Sequence, residues 1–386
     1  MIRILHILTR LCVGGTCAYV MQLSHALNND HYQSYVLTGM IEPDEADMSY
    51  LADRYGIKPH YVNTMCRSLN PVKDFITIIE IIKVIRKIKP DVVFTNNAKA
   101  GVVGRIAAFI MGVPIIIHTY HGNNFSGYFG KLMSTFSIIT EKALAFISTC
   151  LVAISPQQYE ELSRLKIAPE PKIRMIPLGF DLAEVIHDKS DLGKFRAQYQ
   201  ISSETKIVAL VGRLAAIKNP AYFINIAKAV LARRQDTIFL LVGDGELRPE
   251  LQEQIDRNEL QKKVIITGFI KDLKPMYADI DILLLTSNRE GTPVSIIEAM
   301  ANRNIVISTR VGGVENLIDN EVNGFVYAVG DMAGMISRID DVLNNPESYI
   351  SITERAHQKI VEHYSMSVLE QNIKGLITEF GKDSKC

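Results

Sequence analysis

Two glutamates eight positions apart, Glu290 and Glu298, bracket the run Gly291-Thr292-Pro293-Val294-Ser295, where a loop turns into a helix. Glu290 stands on the loop and Glu298 about one turn inside the helix, so the two carboxylates can face one cavity and do different work there. The backbone amides around Pro293–Ser295 are helix-start donors without an intrahelical acceptor, suited to phosphate or sugar oxygens. Glu298 would suit the vicinal hydroxyls of a ribose; taken singly, it also reads as a helix-surface glutamate. Gly212-Arg213 follows the apolar run Ile207–Val211, and Lys218 comes five residues after the arginine. A planar guanidinium and a mobile ammonium at a strand's carboxyl end can grip a diphosphate from two sides. They can also neutralise the charge that develops as a phosphate leaves, which makes a metal unnecessary. Taken alone, such a pair is also an ordinary solvated surface feature. Gly243-Asp244-Gly245-Glu246, after Thr237–Val242, permits a tight turn into a helix but lacks the full G-x-G-x-x-G dinucleotide fingerprint.

The first half offers two further candidates. Gly14-Gly15-Thr16 follows the first apolar run and opens a helix, so its amides could meet a donor phosphate or an acceptor; a plain tight turn explains the glycines equally well. His118-Thr119-Tyr120-His121-Gly122 ends another apolar run and would bring His121 to the same rim, either as a site residue or as a structural histidine.

These residues need strands to carry them. Short apolar runs alternate with longer amphipathic ones in both halves, the pattern of parallel strands joined by helical crossovers. Strands are expected at Ile2–Leu8, Tyr35–Thr38, Val92–Thr95, Ile115–Thr119, Cys150–Ile154 and Ile173–Pro177, with helices at Gln22–Leu27, Asp74–Ile88, Gly101–Met111 and Met133–Thr149. Between Gly179 and Ile201 the periodicity fades, which sets a domain boundary near Leu178. Strands then resume at Ile207–Val211, Thr237–Val242, Val264–Thr267, Ile282–Leu285, Ile305–Thr309 and Gly324–Tyr327. Their helices are Pro220–Arg233, Glu246–Asn258, Asp272–Ala278 and Ser295–Ala301. The fold class is α/β: two Rossmann-like, doubly wound domains, residues 1–178 and 179–364, with residues 365–386 expected to form a helix that crosses back to the first. Ligands bind beyond the carboxyl ends of such strands, so the expected site is a cleft between two facing domains.

Bulk properties agree with a folded two-domain enzyme. The chain has 386 residues, 47% hydrophobic and 22% charged, and zero formal net charge. Residues 1–175 carry 18 Lys and Arg against 13 Asp and Glu, leaving +5 there, which suits either an anionic surface or a solvated basic face. Five scattered cysteines without a CxxC pair suggest neither a zinc knuckle nor a disulfide framework, and fit a reducing, cytoplasmic compartment. Met1–Leu11 runs into Gly14-Gly15 rather than a cleavage site and reads as a strand, not a signal peptide. No stretch approaches the ~20 apolar residues of a spanning helix, so any membrane contact is expected to be peripheral.

Together, Gly-Arg-x4-Lys, Gly-Asp-Gly-Glu, Glu-x7-Glu, and Val311-Gly312-Gly313-Val314 before Asn323-Gly324-Phe325 resemble the bacterial retaining glycosyltransferases of family four, with the GT-B fold. The order and spacing match across nearly the whole chain. In the first half, Gly14-Gly15, Pro90-Asp91-Val92-Val93, Lys99-Ala100-Gly101 and the His-Thr-Tyr-His-Gly run are similar to members that build capsule and O-antigen saccharides. The resemblance implies a metal-independent enzyme without a cofactor, using a nucleotide-sugar donor, most simply a UDP-sugar. It implies that Arg213 and Lys218 hold the diphosphate, Glu298 the ribose and Glu290 hydroxyls of the transferred sugar. His121 would lie beside that sugar's reactive face. Gly14, Gly15, Gly212, Gly243 and residues Gly291 to Ser295 (Gly291, Thr292, Pro293, Val294, Ser295) would complete the donor site.

No second carboxylate is placed opposite Glu290 for double displacement. The resemblance instead implies front-face substitution through an oxocarbenium-like state, with the leaving phosphate taking the acceptor's proton. The chain departs from the family pattern after Met300-Ala301: Arg303 replaces a glycine and Ile305 a proline, so a changed helix exit is expected. Arg310 replaces a small or acidic residue. The acceptor is expected to be a saccharide, lipid-linked at the cytoplasmic membrane face. Lys73, Lys83, Arg86, Lys87, Lys89, Lys131 and Lys142, within Leu69–Pro90 and Phe125–Ile147, could rest on anionic headgroups; ordinary amphipathic helices explain them as well. No nucleic-acid partner is expected. A sugar-nucleotide 2-epimerase of the same fold and a silent nucleotide-sugar-binding protein remain as alternatives.

Overall fold

The structure, a computed structural model, describes residues 1–12, 14–42, 47–66, 68, 70–122 and 131–383. The chain divides into two compact units, Met1–Phe180 with Tyr364–Cys386, and Asp181–His363. The division falls two residues after the expected Leu178, and the C-terminal segment belongs with the first unit from Tyr364 onward.

The first unit runs β1 (Ile2–Arg10), α1 (Gly15–Ala26), β2 (Tyr32–Gly39), α2 (Tyr50–Arg54), β3 (His60–Val62), α3 (Pro71–Ile88), β4 (Val92–Asn96), α4 (Ala98–Ile110), β5 (Ile115–Tyr120), α5 (Lys131–Phe146), β6 (Cys150–Ala153), α6 (Pro156–Arg164) and β7 (Ile173–Met175). Among the described residues its sheet is seven-stranded and parallel, in the order β3-β2-β1-β4-β5-β6-β7. Because helices cover both faces, the central strands read as unbroken apolar runs, and Val92–Asn96 and Ile115–Tyr120 are buried throughout. Local chemistry sets where the helices begin. Asn70 caps α3 by accepting from the Lys73 amide at 3.0 Å, and Pro71 fills the first turn, where no amide is needed.

The second unit begins with α7 (Leu182–Val185) and α8 (Lys194–Gln198), short helices within the aperiodic connection. It continues through β8 (Lys206–Val211), α9 (Pro220–Leu231), β9 (Thr237–Val242), α10 (Arg248–Arg257), β10 (Val264–Gly268), α11 (Lys274–Asp279), β11 (Ile282–Leu285), α12 (Val294–Ala301), β12 (Ile305–Thr309), α13 (Val314–Leu317) and β13 (Phe325–Tyr327). Then come α14 (Met332–Asn344) and α15 (Ile350–His363), before α16 (Met366–Asp383) packs on α1 and β5 of the first unit. The second sheet is also parallel, in the order β10-β9-β8-β11-β12-β13. In both sheets the strand order reverses beside the first strand, between β1 and β4 and between β8 and β11. At those reversals crossovers leave in opposite directions and open a crevice at the strands' carboxyl ends.

Several elements escape sequence reading. β3 is a three-residue edge strand, too short for a period, and α6 (PQQYEELSR) lacks an apolar stripe, although Ser155 and Pro156 mark its start. The expected change of turn at Arg303 is corrected: the residue takes the left-handed conformation itself, at φ 61°. Its guanidinium is held by Glu354 at 2.7 Å, so the glycine-type helix exit survives in a non-glycine residue.

One ionic core ties three elements of the first unit together. Arg105 of α4 is wholly buried and its Nη2 donates to both carboxylate oxygens of Glu141 of α5 at 2.9 and 2.8 Å, while Tyr120 at the end of β5 donates to the same carboxylate at 2.8 Å. Removing one partner strands the other's charge in the core. Glu141→Ala is therefore expected to cost about 3–5 kcal/mol in denaturant unfolding; a loss below about 1 kcal/mol would reduce the pair to a surface-type contact.

Candidate functional site

In the second unit the loops leaving β8, β9, β10, β11 and β12 interlock at the carboxyl edge of the sheet. The Gly243 amide donates to Gly268 at 3.0 Å, and the Gly212 amide to Val242 at 2.9 Å. The approach is so close that a Cβ on Gly243 would lie 2.0 Å from the Gly212 carbonyl oxygen. Further along the edge, Gly312 and Gly313 press the β12 loop against the β11 loop. A Cβ on either would fall 1.9 or 1.8 Å from the carbonyl oxygen of Glu290 or Gly291. At Gly291 itself an added Cβ meets nothing within 4 Å, so the outer face of that loop is open.

These loops bring Lys218 and Glu290 together. The ammonium lies 2.6 Å from Glu290 Oε1, and the buried Ser287 hydroxyl donates to the same oxygen at 2.5 Å. With Oε1 saturated by two donors, Oε2 is the oxygen left to accept from a ligand hydroxyl. Arg213 does not join this pair. Its guanidinium reaches Glu246 at 3.1 Å, and both side chains are more than half exposed, so the contact is weak enough for an anionic ligand to displace. Pro293 occupies the cap position of α12 and has no side-chain acceptor, which leaves first-turn amides including those of Val294 and Ser295 for another partner. The Thr292 hydroxyl beside them is buried without a hydrogen bond.

Glu298 is separate from the Lys218 cluster in its bonding. The hydroxyl of Tyr277, on α11, donates to its Oε2 at 2.8 Å. Burial pushes the Glu298 carboxyl up to about 7, with the Tyr277 bond acting the other way. Burial, together with the Glu298 charge, holds the Tyr277 phenol well above its ordinary value.

In the first unit, Gly14 precedes α1 and Gly15 is its first residue; a Cβ on Gly14 would enter open space. His121, just past β5, is partly buried, with Nε2 2.8 Å from Asn96 Oδ1 and its ring edge-on to Tyr19 at 4.9 Å. Burial lowers its imidazole to about 3, so it is neutral at ordinary pH. Ser287, Tyr277, Asn96 and Tyr19 were invisible to sequence reading, since nothing in their local spacing marks them as partners. Gly312-Gly313 did carry a signal, as part of the Val311-Gly312-Gly313-Val314 run on which the resemblance rests. Residues 125–130 of the Phe125–Ile147 segment, Leu69, and the Lys131 side chain lie outside the described residues. Among the described residues no cluster of His, Cys, Asp and Glu could hold a metal ion, and no helix is long and apolar enough to cross a membrane.

Two Rossmann-like parallel-sheet domains in one chain, with cations and carboxylates gathered on glycine-rich strand-end loops of the second, fit the GT-B fold class. The family model described as "Glycosyltransferase Family 4" matches residues 13–184, and that described as "Glycosyl transferases group 1" matches residues 192–359. The chain is a GT-B glycosyltransferase related to both families. It is 28% identical over 381 residues, 97% of this chain and 96% of the other, to the UDP-Gal:alpha-D-GlcNAc-diphosphoundecaprenol alpha-1,3-galactosyltransferase of Escherichia coli. It is 24% identical to the capsular polysaccharide biosynthesis glycosyltransferase CapM of Staphylococcus aureus, over 84% of this chain and 86% of that one. The crystal structure of Anabaena HepE in complex with UDP-glucose has the same fold, with a TM-score of 0.81 at 21% identity over 98% of this chain and 100% of that one.

The raised Glu298 carboxyl has a measurable signature. An acid whose folded value lies near 7 against about 4.5 unfolded binds more protons when folded, so its contribution falls as pH rises from 4.5 through 7. Glu298→Gln, still able to accept from Tyr277, is expected to melt higher than the parent chain above pH 7 and to lose that advantage towards pH 4.5. Thermal melts across this range check it, and a pH-independent difference would remove the buried-carboxylate account.

Proposed function

We propose that this glycosyltransferase moves a sugar from a UDP-sugar to a saccharide acceptor with retention of anomeric configuration, in surface polysaccharide synthesis. The observation that carries the reading is the Lys218–Glu290 pair beside the open amides of α12. In this reading Lys218, with Arg213 once released from Glu246, holds the diphosphate and offsets the charge growing on the leaving oxygen. The first-turn amides and the Thr292 hydroxyl supply further phosphate donors. Glu290 Oε2 accepts from hydroxyls of the transferred sugar and orients its anomeric carbon, and Glu298 accepts from the ribose. His121 and the Gly14-Gly15 turn of the first domain serve the sugar and the acceptor. The departing phosphate takes the acceptor's proton on the face it leaves, which is how retention arises without an enzymic nucleophile. UDP-glucose in the HepE complex and the UDP-galactose of the E. coli enzyme's name support a uridine donor.

Lys218→Ala is expected to lower turnover roughly 10²–10³-fold, the scale for one preorganised charge-stabilising donor. A screen of UDP-sugars by thermal shift, followed by transfer assays, supplies the substrate for that measurement. Near-normal turnover in the variant would overturn the diphosphate assignment.

The acceptor in this proposal is lipid-linked and met at the cytoplasmic face of a membrane. Support comes from α3, where Val72, Phe75, Ile76 and Ile79 are 70, 64, 41 and 39% exposed. Their spacing puts them on one face, with Lys73, Lys83, Arg86, Lys87 and Lys89 on the same segment. An apolar stripe edged by cations suits an anionic lipid interface. The diphosphoundecaprenol-linked sugar named for the E. coli relative agrees with it. In flotation with vesicles containing anionic lipid, the chain should rise with the vesicles and Phe75→Asp/Ile79→Asp should stay behind with its fold intact. No flotation of the parent chain, with transfer to a soluble acceptor, would sink the lipid reading.

A further inference from the structure

Asn96 is wholly buried at the last paired position of β4, in register with Leu8 of β1 and Thr119 of β5. An uncharged amide in that place is costly unless both of its ends are used. Its Nδ2 faces the Ile7 carbonyl oxygen at 3.5 Å, so its Oδ1 is the end turned to His121, 2.8 Å from Nε2. A carbonyl oxygen can only accept, and the imidazole is neutral, so the ring proton must sit on Nε2. The lone pair is therefore on Nδ1. Tyr19 packs edge-on against the ring, with centroids 4.9 Å apart.

We infer that Asn96 is a positioning residue that holds His121 in the Nε2–H tautomer, so that His121 serves as a neutral acceptor, through Nδ1, for a substrate hydroxyl. It neither carries charge nor relays a proton in the transfer. The inference rests on the placing of His121 beside the transferred sugar. Around the ring, Tyr19 comes from α1, Asn96 from β4, and His118 from β5. His118 is itself buried and held well below its usual value by burial and by the Arg105 charge. The Arg105 charge is already met by Glu141 within the same domain. No carboxylate touches the imidazole among the described residues, so nothing there favours an imidazolium.

The role separates from simple packing through Asn96→Asp, which keeps shape and acceptor but adds a charge that stabilises the imidazolium. In two-dimensional NMR of histidine-labelled chain, with His121 assigned by His121→Asn, the parent ring should show a neutral Nε2–H tautomer without titration from pH 5 to 8. In Asn96→Asp the ring should titrate within that range. Its transfer rate should then fall about tenfold per pH unit below the new midpoint, as the neutral fraction falls, while the parent profile stays flat over that limb. Asn96→Leu, compared at equal melting temperature, should lose tautomer selection and lower kcat more than donor KM. A parent His121 that is protonated on Nδ1, or that titrates near its ordinary value, overturns the inference. If the ring behaves as described but transfer by Asn96→Asp follows the parent pH profile, the tautomer assignment stands and the placing of His121 at the sugar falls.

Discussion

Backbone pressed on backbone at the carboxyl edge of the second sheet is the constraint from which the donor-side chemistry follows. Gly243 against Gly212, and Gly312 and Gly313 against Glu290 and Gly291, leave no room for a single added carbon. Loops packed at that distance behave as one rigid shelf. On this shelf a lysine ammonium and a glutamate carboxylate stand 2.6 Å apart, each on a loop packed against its neighbour. The ordering cost is met on folding, so little reorganisation is left for the moment at which charge develops.

Charge is distributed over that shelf unevenly. Lys218 is secured by the Glu290–Ser287 cluster, whereas Arg213 is exposed and leans on an equally exposed glutamate. One cation is thus built in, and the other is free to exchange a weak solvent-screened partner for a stronger anionic one. Glu298 has a third character: a carboxyl raised by burial and tethered to a buried phenol, suited to hydrogen-bonding hydroxyls rather than to meeting a cation. Lys218, Arg213 and Glu298 therefore differ in environment as well as in type.

The first unit uses its polar interior differently. Arg105, Glu141 and Tyr120 lock the end of β5 from beneath, and Asn96 and Tyr19 fix the imidazole that follows it. The histidine's direct contacts, Asn96 from β4 and Tyr19 from α1, are both remote from it in sequence. That arrangement explains why a lone strand-end histidine could be read only as a candidate.

The amino-acid sequence alone determined the alternation of strands and helices, the restart of that alternation after Leu178, and the three strand-end motifs. Each is a local property, a matter of period, apolar run length, or glycine next to charge. It also placed Glu290 on a loop and Glu298 inside a helix, since the helix start lies between them. Only tertiary structure decided which charge meets which: that Lys218 pairs with Glu290, Arg213 with Glu246 and Glu298 with Tyr277. The same holds for the Arg303 turn, where the sequence argued for change and the folded chain kept the left-handed geometry with Glu354 bracing the side chain. Pairings across 72, 33 and 21 residues depend on strand order and on loop approach, and no local pattern encodes either.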